Sequence, residues 1–186
     1  MYSSYIWNMY YFCRQNLFEE TNTLEIVTPT DRIWISGKKF SEPVSQRTLN
    51  LDPEYGTELA DFFDTSWSVM SDKLIQAFSE IEVKNFDSYS MILRRVGTGE
   101  KYYNFSAVNF IGEIDAIDRE RSLFIPNALR KFKSIVISSE KVGDLKSFRL
   151  VDGPGLLVVT EAVANYLRKW DFKALLLQPT QEHDGV

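Results

Sequence analysis

The chain has 186 residues, of which 44% are apolar, 14% aromatic and 25% charged; that is enough apolar mass for one buried core and too little polar bias for disorder. Its net charge of −5 counts against nucleic acid as a direct ligand, and no stretch approaches the roughly 20 apolar residues that cross a membrane. A single cysteine, Cys13, excludes an internal disulfide, reads as a small buried hydrophobe among aromatics, and fits a reducing cytoplasm.

Tyr2, Tyr5, Trp7, Tyr10, Tyr11 and Phe12 crowd the N-terminus without a basic region or an unbroken apolar run, so no signal peptide is expected. "SSYIWNMYYF", "TLEIVT" and "RIWISG" read as strands, and "TELADFFDTSW" as a short helix. A repeat follows. "SVMSDKLIQAFSEI" (Ser68 to Ile81) and "LVVTEAVANYLRKW" (Leu157 to Trp170) align without a gap at an offset of 89. Leu74, Ile75, Ala77, Phe78 and Ile81 match Val163, Ala164, Tyr166, Leu167 and Trp170, a spacing that makes one apolar stripe on a helix. Each helix opens on a capping hydroxyl and an acid, Ser71-Asp72 and Thr160-Glu161. Short strands precede them (Trp67 to Met70, Leu156 to Val159) and follow them (Ser88 to Leu93, Phe172 to Leu177), giving two strand-helix-strand units.

Between the units, Gly97-Thr98-Gly99 can turn a hairpin; the spacing of a phosphate-binding loop is missing there. "SIVISS" and "SFRLV" read as strands, Asp152-Gly153-Pro154-Gly155 as a turn, and "TQEHDGV" after Pro179 as a frayed polar tail. The expected fold is α+β: a mixed, largely antiparallel sheet with the two strand-helix-strand units packed on it. It forms a single domain over residues 1–186, with an acidic N-terminal part at 1–65.

Charge is unevenly placed. Residues 1–65 hold 5 basic against 10 acidic side chains, whereas 66–130 hold 8 against 9 and 131–186 hold 8 against 7. No basic residue lies between Arg47 and Lys73, while Asp52, Glu54, Glu58, Asp61 and Asp64 accumulate among Tyr55, Phe62 and Trp67. Such a run is either a solvated helix face or a surface for a basic partner.

A second acid cluster, "GEIDAIDRERSLF" (Gly112 to Phe124), raises the question of catalysis. Continued as a strand, the segment would turn Val108, Phe110, Gly112, Ile114 and Ala116 inward and place Glu113 and Asp115 about 7 Å apart on the other face. That spacing would suit an acid and a base flanking a water. The competing reading has Asp118 capping a turn, with Arg119 and Arg121 neutralising their neighbours. The only histidine, His183, stands near the end of the chain, and Cys/His metal sites and EF-hand spacing are missing. No catalytic residue, cofactor or metal is expected, and the chain reads as a binding protein.

The run "VNFIGEIDAIDRERSLF" (Val108 to Phe124) resembles immunity protein family eleven of bacteria. So does the order of "SDKLIQAF", "YSMIL", "KSIVISS", "FRL", "GLLVVTEAVANYL" and a closing strand ending in Gln178-Pro179. The likeness spans roughly residues 66–180. Members often carry glycines around the last helix-to-strand link, where this chain has Asp171 and Ala174. The resemblance implies a polymorphic toxin system and interbacterial competition, with a cognate toxin as the partner and no catalysis. The residues expected to meet that toxin are Asp52, Glu54, Tyr55, Glu58, Asp61, Phe62, Asp64 and Trp67.

Overall fold

The computed structural model describes residues 9–25, 32–65, 67–126 and 131–183. Its first repeated segment runs from strand to helix at Ser71, whose Oγ accepts from Leu74 N (3.2 Å) as the N-cap. Leu74, Ala77 and Phe78 then fall on one buried face, as their spacing requires. Burying the two larger side chains contributes about 2 kcal/mol each, and Leu74→Ala would forfeit that plus a cavity term.

In chain order the described elements are β1 (Tyr10–Gln15), β2 (Thr48–Leu51), β3 (Phe62–Asp64), β4 (Ser68–Ser71), α1 (Asp72–Glu80), β5 (Phe86–Arg95), β6 (Lys101–Phe110), β7 (Glu113–Ile114) and β8 (Leu123–Phe124). They continue with β9 (Phe132–Ser134), α2 (Ser139–Val142), β10 (Ser147–Leu150), β11 (Leu157–Thr160), α3 (Glu161–Leu167) and β12 (Leu175–Pro179). The fold is α+β and mostly strand. One sheet has the order β12-β1-β11-β10-β7, the other β2-β5-β6-β4-β3, and β8 pairs with β9. Among the described strands all pairings are antiparallel except β7 with β10 and β2 with β5.

The repeat is structural. β4, α1 and β5 begin at residues 68, 72 and 86; β11, α3 and β12 begin 89 positions later. In each unit the two strands flank a third that is antiparallel to both: β6 between β4 and β5, and β1 between β11 and β12. Each is therefore a split β-α-β unit. The two units do not share a sheet: β5-β6-β4 forms the centre of one, and β12-β1-β11 forms one edge of the other.

Alternation along the strands makes three cores. Tyr11 and Cys13 of β1 and Val108 and Phe110 of β6 point into a core shared by both sheets and by α1 and α3. Tyr10 and Phe12 face a second core, under the segment 114–142. Phe105, Ala107 and Val69 face a third, covered by Leu24, Trp34, Phe40 and Val44.

Several local expectations give way. "RIWISG" forms a 3-10 helix at Arg32–Ile35, because Trp34 is drawn onto Trp67, Phe40 and Tyr89. The helix expected at 57–67 does not form; Phe62–Asp64 is instead an edge strand, with Phe62 and Phe63 buried on opposite faces as a two-residue period requires, and residue 66 lies outside the described residues. "SIVISS" is a strand only as far as Ser134, and Ser139 already begins α2. The tail expected to fray is packed at Thr180 and His183, the latter 3% exposed and meeting Phe12 edge-on at 5.3 Å; residues 184–186 lie outside the described residues. The strand expectation for "SSYIWNMYYF" holds at β1, its residues 3–8 lying outside the described residues, as do residues 26–28 of "TLEIVT". There Leu24 bridges Leu51.

Candidate functional site

The acidic N-terminal residues gather on two loops that lean on each other, one after β1 (residues 16–22) and one after β2 (residues 52–58). Asp52 N donates to Thr23 O (2.9 Å), Asn22 N to Glu58 O (2.7 Å) and Thr57 N to Glu20 O (3.3 Å). Asn22, 1% exposed, sends Nδ2 to the carbonyls of Tyr55 (2.9 Å) and Gly56 (2.7 Å). Gly56 has φ +44°, and a Cβ there would stand 2.4 Å from the Thr21 carbonyl carbon, so the approach requires glycine. Asp52 Oδ1 accepts from Glu54 N (2.9 Å) and turns the second loop.

On this frame Glu54, Glu58 and Tyr55 are exposed and Asp52 is half-buried. Glu58 pairs with Lys173 (3.3 Å), whose ammonium that contact holds above its ordinary pKa. Asp61 is tied inward: Oδ1 accepts from Ser71 Oγ (2.5 Å) and Oδ2 from Lys173 N (2.8 Å), joining the start of α1 to the turn before β12.

Three of the expected contact residues sit elsewhere. Phe62 is fully buried in the shared core, and Trp67, 5% exposed, stacks on Trp34 (5.0 Å, 23° between planes) beneath the Arg47 guanidinium. Neither offers surface to a partner, because β3 and β4 turn these side chains into the cores. Asp64 is half-buried near Arg149 and Cys13. Burial pushes its carboxyl up to about 6 against the opposing pull of Arg149 and Arg14. Arg149, 3% exposed, donates Nη2 to Ser68 Oγ (3.2 Å) and Nη1 to Gly155 O.

The structure adds residues that the sequence reading passed over. Leu17 is 70% exposed and Phe18 98% exposed, on the tip of the first loop beside Glu19 and Glu20. Their trace in the sequence is "LFEE", two apolar residues and two acids one residue after a buried strand.

The acids at 113–120 form a charged corner. The strand does not run through: β6 stops at Phe110, Gly112 takes φ +127°, and β7 joins the other sheet beside β10. Asp115 meets Arg119 (3.9 Å) and Lys141 (3.7 Å), and Arg119 meets Asp152 (3.3 Å). Asp118 caps its turn, accepting from Arg121 Nε (2.5 Å) and from the backbone N–H of Glu120 and Arg121 (both 3.2 Å). The Arg121 contact, foremost, holds the Asp118 carboxyl below its usual range. Glu113 and Asp115 are both exposed, so no enclosed acid-base pair forms. Among the described residues, no three His, Cys, Asp or Glu side chains gather closely enough to hold a metal ion, and no helix is long and apolar enough to cross a membrane.

What this geometry offers is a braced acidic surface able to attract and fit a basic one. No curated protein matches the chain. The model of the immunity protein family Imm11 matches residues 12–182, which takes in most of β1 and both acidic loops as well as the motifs from Val108 onward. The chain belongs to the immunity protein family Imm11.

Proposed function

We propose that this chain protects its producer by covering a cognate antibacterial toxin without chemistry of its own, docking through the loops at 16–22 and 52–58. Family membership supplies the toxin-neutralising role and a toxin as partner. The observation that carries the finer reading is the placement of Asp52, Glu54 and Glu58 on one hydrogen-bonded frame with Glu20 and Tyr55. The frame is stiff, so little ordering is required on binding. A toxin with a basic, phosphate-seeking cleft, such as a nuclease, is the best electrostatic match. Asp61 belongs to this reading as a brace behind the surface, Phe62 and Trp67 as its core support, and Asp64 lies half-buried behind it as a source of negative field. Action in the cytoplasm suits a toxin of that kind.

The test is co-expression with the product of the adjacent gene as candidate toxin, followed by rescue of growth and binding kinetics. The double variant Glu20→Lys/Glu54→Lys should slow association by about tenfold and flatten its salt dependence. Unchanged kinetics would remove this surface. Protection should be one-for-one; protection at a small fraction of the toxin concentration would mean turnover and overturn occlusion.

A further inference from the structure

We infer that the Leu17-Phe18 tip is an apolar plug that seats in a hydrophobic pocket within the basic face of the partner toxin. The inference rests on the docking surface proposed above and deepens it. Phe18 is 98% exposed and Leu17 70% exposed, and neither joins any of the three cores. Adjacent large apolar side chains held largely in water mark an interaction site when the backbone under them is fixed.

Here the backbone is fixed. Phe18 N donates to Asn16 Oδ1 (3.2 Å), Glu19 N to Asn16 O (3.3 Å), and Asn16 Nδ2 to Glu19 Oε1 (2.9 Å). The turn is also pinned to the chain before β12: Asn16 N donates to Ala174 O (2.9 Å), and Glu19 Oε2 accepts from Ala174 N (2.7 Å). The second loop closes behind it through Thr57 N to Glu20 O. A preorganised aromatic-aliphatic tip inside a charged rim has the anatomy of an interface hot spot.

Charge selects the occupant. The rim is Glu20 and Glu54, with Glu58 paired to Lys173 beside them, so a second copy of this chain docking by the same patch would set the Glu20 and Glu54 carboxylates against themselves. A basic protein surface meets the rim and the tip together.

The experiment measures association and dissociation rates of Leu17→Ser/Phe18→Ser against the product of the adjacent gene, once that product is shown to be toxic. Tyr103→Ser, which removes an exposed aromatic from β6, is the control. The plug variant should dissociate about a hundredfold faster or more, with association and its salt dependence nearly unchanged; Tyr103→Ser should bind as the parent does. Circular dichroism and urea midpoints equal to the parent's would show that the fold is intact. An unchanged dissociation rate beside slowed association in Glu20→Lys/Glu54→Lys would overturn the plug and leave the surface standing. Parental kinetics in both variants, or no complex with the unaltered chain, would overturn both. A concentration-dependent dimer of this chain that dissolves on removing Leu17 and Phe18 would make the occupant a second copy and would also overturn it.

Discussion

Cys13 and Val108 occupy the same point in two copies of one strand register. Leu157 and Leu177 flank Cys13 on its two sides as Ser68 and Ser88 flank Val108, and each flanking residue is 89 positions from its counterpart. The first unit is continuous, whereas the second takes its middle strand from the other end of the chain. Cys13 thus lies at the centre of the shared core, fully buried. Burial, and after it Asp64, pushes its thiol well above the ordinary range. In the folded protein a disulfide reagent should label Cys13 at least about a thousandfold more slowly than it labels free cysteine. The labelling rate in rising urea should follow unfolding. Complete labelling within the mixing time would contradict the burial.

Asp64 should make stability fall as pH rises. Its carboxyl ionises near 3.8 in an ordinary setting and at about 6 in the fold. Below pH 4 both states are protonated and the group contributes nothing. Between 4 and 6 the unfolded chain loses its proton first, and above 6 the full penalty remains, on the order of 3 kcal/mol before relaxation. Asp64→Asn should therefore raise the urea midpoint at pH 8 and leave it nearly unchanged at pH 4. A variant destabilised alike at both pH values would show that Arg149 needs this carboxylate as its counter-charge.

Asn85 holds the two sheets together beyond their cores. Its Nδ2 donates to Ile111 O (2.7 Å) and Ser147 O (2.8 Å), and its Oδ1 accepts from the buried Ser147 Oγ (3.0 Å). Ile111 follows β6 in one sheet, and Ser147 begins β10 in the other. Asn85→Ala leaves two carbonyls and a hydroxyl without this partner and should cost about 2–4 kcal/mol, whereas Ser147→Ala should cost about 1 kcal/mol. Urea midpoints would check the ranking. Equal small losses would mean that water replaces the amide.

The repeat was legible because each copy carries a helical apolar stripe behind a capping hydroxyl, a pattern complete within fourteen residues. The hairpin at Gly97-Thr98-Gly99 was legible for the same local reason: both glycines take positive φ. What failed depends on partners far along the chain. Phe62 and Phe63 are adjacent yet belong to two cores, and the acids around them mimic a helix face. Nothing near Gly112 tells that the next strand joins another sheet. The acidic surface was visible as composition, but its membership was not. Asp61 and Glu58 are drawn toward residue 173, and the tip at Leu17 and Phe18 is brought to Tyr55 and Gly56 by the buried amide of Asn22 and by backbone bonds between the two loops.

Ala174 gives a test in which the usual sign reverses. It is fully buried beside the third core, and its φ is +55°, a left-handed conformation that costs an L-residue about 1–2 kcal/mol. Both of its backbone groups are committed to the acidic tip, through Asn16 and Glu19, so the chain cannot relax there without releasing that turn. Glycine removes the strain but loses a buried methyl worth about 0.8 kcal/mol and gains unfolded-state entropy worth about 0.5 kcal/mol. Ala174→Gly should therefore be neutral or stabilising by up to about 0.5 kcal/mol. Ala164→Gly, equally buried but within α3, should cost about 2 kcal/mol, because helix propensity and burial then act in the same direction. Urea unfolding of the pair should separate them by about 2 kcal/mol. Equal losses in both variants would place Ala174 in an unstrained conformation and detach the tip from its support.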